Sequence, residues 1–403
     1  MPSRRLLLLL AVSAAVSVSN LYYAQPLAAE MAASLRADAR AIGAALVATQ
    51  AGYALGMLLL VPLGDGRERR SAIVVTIAAS VPFLLLVATA RSVPALTAAS
   101  LLVGLTSSVP QMIIPYGVGL AAPAERGRIV GAIMSGLLTG VLLSRTASGT
   151  FATVIGWRGV YVAAAVLMAL LGLVLRVALP RQEPETRMAW PAILRSLASL
   201  LLRTPELRRR AIVGACGFAS FSVFWSMLSF HLAVLGRGSV AAGLFGVLGV
   251  AGILVAPVAG RLATRVRPSL LNGTALALAA TSFLLFALGA RSLRAIGAGV
   301  VLLDAGCQAS HLTNQTVLFG LAPELRSRFN ALYMVAYFAG GGAGTAAAAF
   351  AWKAGGWSAV CATGAAFALL GIAALALPSA RAPIAPARSG AAQVPRPGGV
   401  ARG

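Results

Sequence analysis

"PLGDGRERRSA", Pro62 to Ala72, places five charged side chains within six positions of the sequence. In the chain as a whole only 11% of the 403 residues are charged and 59% are hydrophobic. The stretch separates two apolar runs, at approximately 41–62 and 71–90, each about as long as a helix that crosses a bilayer. A charged island between two such runs is typical of a loop at a membrane surface.

The composition of the whole chain also indicates a membrane protein. Mean hydropathy is +0.87, and a soluble domain carries about 25% charged residues, more than twice the share found here. Backbone in lipid must satisfy its own hydrogen bonds, and these runs lack the alternation of barrel strands, so we predict an all-α fold. The twelve predicted spans lie at approximately 6–28, 41–62, 71–90, 95–120, 129–150, 159–178, 211–235, 240–260, 269–290, 293–320, 330–352 and 357–378.

Basic residues set the predicted orientation of the spans. Arg4 and Arg5 before an apolar core also resemble a secretory signal, but eleven further spans favour a retained first helix. With the N-terminus inside, most of the 33 Lys and Arg residues fall on the inner side, which predicts that both termini are cytoplasmic. Arg145 falls well inside a span, away from its ends, and we interpret it as snorkelling to the outer interface.

The net charge of +23 is explained by the same excess of basic residues on the inner side. The chain has one Lys and no basic face interleaved with aromatic residues, so we expect contacts with membrane lipids and none with nucleic acid. Cys216, Cys307 and Cys361 lie in apolar runs and are interpreted as core residues. No P-loop, haem or iron–sulfur cysteine pattern, or HExxH helix occurs in the sequence, so we predict no cofactor and no metal site.

The sequence repeats at an offset near two hundred residues. "APAERGRIVGA" at 122–132 aligns with "APELRSRFNAL" at 322–332, and Gly156-Trp157 aligns with Gly356-Trp357. The repeat predicts two pseudo-symmetric bundles of six helices each.

Four segments follow from this repeat and from local composition. We predict an N-terminal bundle at 1–178 and a C-terminal bundle at 211–378. Between them, 179–210 is charged and Pro-containing, which predicts a cytoplasmic linker with short amphipathic pieces. The Pro-, Gly-, Ala- and Arg-rich stretch 379–403 is predicted to be a disordered cytoplasmic tail.

Small residues at four-residue spacing recur on every third span, where they let helices approach closely. Chance is the alternative explanation, since the chain has 43 glycines. The regular recurrence favours one close-packing helix in each three-helix unit. The predicted packing residues are Gly52 and Gly56, Gly136 and Gly140, and Gly340 and Gly344.

Several motifs together resemble the major facilitator superfamily over nearly all of 1–378. "PLGDGRERR" resembles the signature between helices 2 and 3, and "GRLATR" at 260–265 resembles its degenerate second copy. "SNLYYAQPL" at 19–27 and the segment 304–341 resemble bacterial arabinose-efflux and drug-efflux permeases. The resemblance implies a monomeric secondary transporter of the bacterial inner membrane, with two halves that alternate access to a central site. The fifth span keeps only "GLLTG" where antiporters carry a Gly-Pro pair.

In that family the loop between helices 2 and 3 is a latch whose contacts favour the outward-facing state. The resemblance implies this role for Asp65, Arg69 and Arg70, with Arg128 and Arg328, which match each other in the two halves, as candidate partners. Charge-assisted hydrogen bonds at helix ends are strong but break when the ends separate. The alternative is a set of solvated charges that serve topology alone.

Polar side chains within spans are costly unless they face protein or water, so each marks a candidate site. Spans 1, 4, 7 and 10 line the central cavity in the resembled family. Their polar residues are mostly neutral and partly aromatic, which indicates a small, moderately polar or amphipathic organic solute. The candidate cavity residues are Asn20, Tyr23, Gln25, Gln111, Trp225, Ser226, Gln308, His311 and Asn314.

Asp304 lies near the middle of the tenth span, where a charge costs about 2.5–3.5 kcal/mol on insertion scales. We therefore predict that Asp304 exchanges protons, with His311, two turns away, as its proton or hydrogen-bond partner. The alternative is that Asp304 completes a polar network and never titrates. Ser310 and His311 are adjacent and diverge by about 100° around the helix, which is poor geometry for a nucleophile and its base, so no enzyme is predicted.

The favoured hypothesis is proton-coupled efflux of a small organic molecule. Proton-coupled uptake or facilitated diffusion has the same architecture and differs in the direction of net transport. A membrane scaffold or sensor that transports nothing is the alternative from another class.

Overall fold

The computed structural model describes residues 3–62, 68–122, 125–183, 190–250, 254, 255, 262, 266–321 and 325–378. The described residues form helices joined by short connections, and no strand occurs among them. In chain order the helices are α1 (Arg4–Ser19), α2 (Ala24–Leu35), α3 (Ala39–Leu59), α4 (Arg69–Thr89), α5 (Val93–Thr106), α6 (Val109–Gly119), α7 (Arg126–Ala178), α8 (Trp190–Arg203), α9 (Pro205–Val234), α10 (Ser239–Leu248), α11 (Pro268–Leu288), α12 (Leu293–Leu321) and α13 (Arg326–Ala373). A 3₁₀ turn, Ala374–Ala376, follows α13.

Nine helical stretches in the described part of the chain are long and apolar enough to cross a membrane. One of them joins α1 and α2, and another joins α5 and α6. Two more, α7 and α13, have 53 and 48 residues, about twice the length that one crossing needs. Each of these is interrupted by glycine with non-helical backbone, at Gly156 in α7 and at Gly355 and Gly356 in α13, so each supplies two crossings. With the short apolar α10, the described helices agree with the predicted all-α bundle of twelve spans.

The sequence repeat is also a repeat of packing. Gly140 of α7 lies against Ala15 of α1, and Gly340 of α13 lies against Ala215 of α9. In both places an added Cβ would be 2.3 Å from the alanine carbonyl oxygen. The two halves therefore use the same contact at the same two-hundred-residue offset.

All six glycines predicted to pack helices lie against the backbone of a neighbouring helix. A Cβ on any of them would be between 2.0 and 2.3 Å from a backbone oxygen, on α5 for the pair in α3, on α1 for the pair in α7 and on α9 for the pair in α13. A backbone atom cannot rotate aside as a side chain does, so these contacts require glycine. The six are Gly52, Gly56, Gly136, Gly140, Gly340 and Gly344.

The two halves meet chiefly along two seams, α3 with α13 and α7 with α10, and α2 also packs on α9. In the first seam, Gln50 Nε2 donates to Thr345 Oγ1 at 3.0 Å, and the Arg40 guanidinium lies 4.4 Å from the centre of the Phe350 ring. In the second, Thr146 Oγ1 donates to the backbone carbonyl of Gly243 at 3.0 Å. Arg40 lies near the start of α3, at the predicted outer face, so the halves are joined toward that face.

The connection between the halves differs from the predicted linker at its C-terminal end. α9 begins at Pro205, so the last part of the predicted linker 179–210 forms the first turns of the seventh span. Proline suits the first turn of a helix because no intrahelical partner awaits its missing N–H. Part of the linker and the whole predicted tail, 379–403, lie outside the described residues.

Candidate substrate-binding site

Asp304 of α12 is buried, with 6% of its surface exposed, and Trp225 Nε1 of α9 donates a hydrogen bond to its Oδ1 at 3.2 Å. The other carboxylate oxygen faces Gly249 at the end of α10, where an added Cβ would be 2.8 Å away. The structure thus brings together two of the predicted site residues, Asp304 and Trp225.

Arg145 of α7 belongs to the same cluster, although it is absent from the predicted site. Only 2% of its surface is exposed, its Nε donates to Gln25 Oε1 at 2.7 Å, and its guanidinium lies 4.0 Å from the centre of the Trp225 ring. It also interacts electrostatically with Asp304. The interpretation that Arg145 snorkels to the outer interface is therefore wrong, because helices of both halves enclose the side chain.

The sequence contains a signal for this position of Arg145. Gly149 lies four residues later on the same helical face. It packs so closely on Ser239 of α10 that a Cβ would be 2.5 Å from the Ser239 carbonyl oxygen. Small residues mark the face of a span that contacts protein, so a charge one turn away on that face is also enclosed.

His311 and Asp304 lie on the same helix, α12, but their side chains contact different neighbouring helices. Its Nδ1 lies 3.0 Å from the hydroxyl oxygen of Tyr333, and its ring packs on Tyr337 with centroids 4.6 Å apart. Both tyrosines belong to α13, whereas the hydrogen-bond donor to Asp304 is on α9. In the described structure His311 is therefore hydrogen-bonded to Tyr333 and not to Asp304. A part for His311 in proton exchange stays a prediction.

Asn314 belongs to a second polar cluster, closer to the predicted inner face. Its Oδ1 accepts hydrogen bonds from Asn272 Nδ2 at 3.2 Å and from Arg210 Nη1 at 3.4 Å. Arg210 Nε in turn donates to Glu206 Oε1 at 2.8 Å, and Ser310 Oγ donates to Asn272 Oδ1 at 2.7 Å. Asn314 is completely buried, so in this conformation it packs between helices and does not line an open cavity.

Three other predicted cavity residues, Asn20, Gln308 and Gln111, are not held by strong hydrogen bonds in the described structure. Asn20 lies in the break between α1 and α2 and is 3% exposed. Among the described residues, neither its Oδ1 nor its Nδ2 has a hydrogen-bond partner. Gln308 is half-buried, and Gln111 Nε2 donates a long hydrogen bond, 3.3 Å, to the hydroxyl of Tyr53. Asn20 therefore has unused hydrogen-bonding capacity in the described conformation.

The last two predicted cavity residues make contacts that hold the helices. Tyr23 packs edge-to-face on Tyr161, with ring centroids 6.4 Å apart. Ser226 Oγ donates to the carbonyl of Val223 on its own helix at 3.2 Å. Both are buried in helix packing.

The charged island is described from Glu68 onward, where it contacts the end of the sixth span and the first residues of the predicted linker. The Glu68 carboxylate accepts from the backbone N–H groups of Arg70 and Ser71, each at 2.9 Å, and from that of Gln182 at 3.1 Å. Partial burial raises the pKa of Glu68, but these hydrogen bonds and one from the Ser71 hydroxyl outweigh it, and the pKa is lowered overall. Arg70 Nη1 also donates to the carbonyl of Leu179 at 3.1 Å, so the island is tied to the end of the sixth span.

Of the other predicted gate residues, Arg69 also contacts Gln182, and the rest lie elsewhere. The backbone N–H of Arg69 donates to the carbonyl of Gln182 at 3.0 Å. Arg128 is largely exposed, and its Nη1 lies 3.9 Å from Glu125 Oε1 on its own helix end. Arg328 is half-buried near the start of α13, and Asp65 lies outside the described residues.

The sequence profile of the Major Facilitator Superfamily matches residues 7–344, a region that includes Gln25, Arg145, Trp225 and Asp304. This chain belongs to the major facilitator superfamily. The resemblance found in the sequence motifs is therefore confirmed, and the protein is a multi-pass membrane transporter and not an enzyme.

Two bacterial relatives of this superfamily member cover nearly its whole length. The putative uncharacterized transporter YgaY of Escherichia coli K12 is 40% identical over 372 residues, which are 92% of this chain and 94% of the relative. The probable transporter SCO4007 of Streptomyces coelicolor is 36% identical over 383 residues, or 94% and 89% of the two chains. A crystal structure of a bacterial homologue of the human lysosomal transporter Spinster, inward-facing and occupied, aligns with a TM-score of 0.74. It is 14% identical, and the alignment covers 93% of this chain and 96% of that one, so this likeness concerns the fold alone.

The site gives this superfamily member a carboxylate, a guanidinium and an indole, packed together where its halves meet. Arg145 comes from the N-terminal half, and Asp304 and Trp225 come from the C-terminal half. In the described part of the chain no cluster of three or more His, Cys, Asp or Glu side chains is suited to a metal ion. The chemistry available at the site is therefore ion pairing, hydrogen bonding and aromatic packing.

Proposed function

We propose that this transporter exports a small organic solute across the bacterial inner membrane by alternating access, in exchange for protons, with both termini in the cytoplasm. Asp304 carries the proposal, because it is a carboxylate buried at the junction of the two halves. A charge buried in a membrane span is costly unless it is paired or neutralised, so this carboxylate is a candidate proton carrier. The direction of transport rests on the resemblance to bacterial efflux permeases, and the orientation rests on the distribution of basic residues.

A proton on Asp304 would change the interaction between the halves. Arg145 and Asp304 attract each other across the junction while the carboxylate is charged. Protonation removes that attraction and so alters the free-energy difference between the closed seam and an open one. Coupling requires such a dependence, since a bound proton shifts a conformational equilibrium only if it interacts differently with the two states.

The decisive experiment compares Asp304→Asn with the wild type in proteoliposomes. A panel of metabolites and drugs, scored by thermal stabilisation of the purified protein, first identifies a transported solute. We expect flux driven by a pH gradient in the wild type and none in Asp304→Asn, because the amide cannot carry the proton. Asp38→Asn is the matched control, since Asp38 caps α3 at the surface and asparagine caps equally well. Unchanged pH-driven flux in Asp304→Asn would remove Asp304 from the coupling role.

Proton-coupled uptake is the second candidate, and the position of Arg145 favours it. A proton on Asp304 removes the negative charge near the Arg145 guanidinium, which strengthens the binding of an anionic solute to Arg145. The proton and such a solute would therefore bind together and move in the same direction. The sign of net flux under an imposed pH gradient distinguishes uptake from export. A non-transporting scaffold or sensor would show no flux of any panel compound.

A further inference from the structure

Neutral partners hold the guanidinium of Arg145 in place. Nε donates to the amide oxygen of Gln25, and the guanidinium lies over the rings of Trp225, Tyr22 and Phe221, with its carbon 4.0, 4.9 and 5.4 Å from their centroids. Three rings on one cation form an aromatic cage of the kind that attracts positive charge. The cage fixes the position of the guanidinium but supplies no negative charge.

Donor capacity remains unused beside this cage. Nη2 of Arg145 is buried and has no hydrogen-bond partner among the described residues, and the same holds for the hydroxyl of Ser229. Both side chains line one gap between the halves, together with Gln25, Trp225 and Leu228. In this conformation the gap has no room for a water molecule, so a solute reaches it only when the halves separate. An unpartnered, buried guanidinium nitrogen beside a free hydroxyl is the donor arrangement of an anion site.

The cation also lacks a counter-ion in contact with it. In the described part of the chain no carboxylate oxygen lies within 4.0 Å of the Arg145 guanidinium. Asp304 is close enough to interact electrostatically, but its Oδ1 accepts from Trp225. A buried charge without a paired opposite charge is strongly unfavourable, so a site of this kind is completed by an anion.

We infer that Arg145 binds the anionic group of the solute, a carboxylate carried on an apolar or aromatic body. The planar guanidinium matches a carboxylate with parallel N–H donors, and the Ser229 hydroxyl adds a third donor. Trp225, Tyr22 and Phe221 then contact the body of the solute. One guanidinium indicates a single negative charge. This inference rests on the proposed transport at this site and assigns the substrate class of that site. Of the two directions it agrees with the uptake candidate, in which the proton and an anionic solute bind together.

Binding of matched acids and amides to the purified wild-type protein tests the inference without any variant. The probes are benzoate against benzamide, and indole-3-acetate against indole-3-acetamide, each titrated while the unfolding temperature is recorded. Each pair differs in charge and hardly in shape. We expect at least one acid to bind ten-fold or more tightly than its amide. Equal stabilisation by acid and amide in both pairs, or none in either, would overturn the inference.

Substitutions then assign the preference for the acid to Arg145. In Arg145→Gln the acid and its amide are expected to bind alike, whereas Arg145→Lys keeps the charge and retains part of the preference. Arg91→Gln is the control, since Arg91 is an exposed arginine in the connection between α4 and α5. An unchanged acid preference in Arg145→Gln would contradict the inference, and if that variant does not fold, the wild-type comparison decides.

The two proposals fail in different ways. Acid binding that depends on Arg145, in a protein that moves none of the bound compounds in vesicles, would support the anion site and contradict the transport proposal. Proton-driven flux of a neutral solute that depends on Asp304, with no preference for either acid, would support the transport proposal and contradict the anion site.

Discussion

At the scale of single residues, two arginines are buried within the described spans, and their environments are opposite. Arg210 donates to Glu206 at 2.8 Å and to Asn314 at 3.4 Å, so its charge is paired inside one half. Arg145 has a neutral hydrogen-bond partner, an unused nitrogen and a nearby carboxylate that does not contact it. A paired buried charge stabilises one arrangement of helices, whereas an incompletely paired one is suited to binding. We therefore assign the polar cluster of Glu206, Arg210 and Asn314 a structural role. The cluster of Arg145, Trp225 and Asp304 is assigned a functional one.

The structural assignment predicts a large loss of stability in Glu206→Gln. Glu206 Oε1 accepts from Arg209 at 2.9 Å and from Arg210 at 2.8 Å, and removing its charge leaves buried Arg210 unpaired. The expected cost is about 3–5 kcal/mol of unfolding free energy. Unfolding in detergent measures this, with Arg128→Gln as the control. Arg128 is 63% exposed and 3.9 Å from its acid, so its loss is expected to cost less than about 1 kcal/mol. Equal effects of the two substitutions would refute the assignment.

The residue types at the site could be predicted from the sequence, but several of their partners could not. Helical spacing was enough to identify Asp304 as a buried carboxylate on a polar face. The depth of Arg145 along its own helix does not reveal that Gln25 and Trp225, more than seventy residues away in sequence, enclose it. Likewise, the spacing of Asn314 on its span gives no sign of Asn272 and Arg210, because those contacts depend on how three helices are placed.

At the scale of helices, glycine determines how closely the spans pack and where they break. Gly156 and Gly356 take positive φ at matching positions and split the two longest helices. Two other spans break four residues before a proline. α5 ends at Thr106 and is followed by Pro110, and Tyr22 lies in the turn before Pro26. Proline clashes with the carbonyl four residues earlier, so these breaks have a sequence signal that hydropathy alone overlooks.

The close glycine contacts predict a position-specific penalty along α7. Gly140→Ala would place a Cβ 2.3 Å from the Ala15 carbonyl oxygen, and the helices must separate, at an expected cost of about 1–3 kcal/mol. Gly131→Ala, on the same helix, meets no atom within 4 Å and is expected to be neutral or to stabilise by up to about 1 kcal/mol. Unfolding of the two variants in the same detergent provides the test. A Gly140→Ala protein as stable as Gly131→Ala would show that the contact is looser than described.

At the scale of the whole molecule, the architecture follows from repetition and from solvent. Hydropathy predicts the number of spans because lipid excludes unsatisfied backbone. The two-hundred-residue repeat predicts that the halves share one packing scheme. The contact of Gly140 with Ala15 in one half and that of Gly340 with Ala215 in the other agree with this. The conformation could not be predicted, because one sequence must support both an inward-facing and an outward-facing arrangement. The described arrangement is joined toward the predicted outer face, through α3 with α13 and α7 with α10.

The central claim is that solute crosses only when these outer seams open, and a reversible cross-link tests it most directly. A Cβ on Gly43 of α3 would be 2.9 Å from the Cβ of Ala349 of α13, near enough for a disulfide after a small shift. The pair Gly43→Cys and Ala349→Cys is placed in a chain whose native cysteines, Cys216, Cys307 and Cys361, are replaced by serine or alanine. Flux in proteoliposomes is expected to stop on oxidation and to return on reduction, while each single-cysteine variant is unaffected. Full flux through the cross-linked protein would contradict the account.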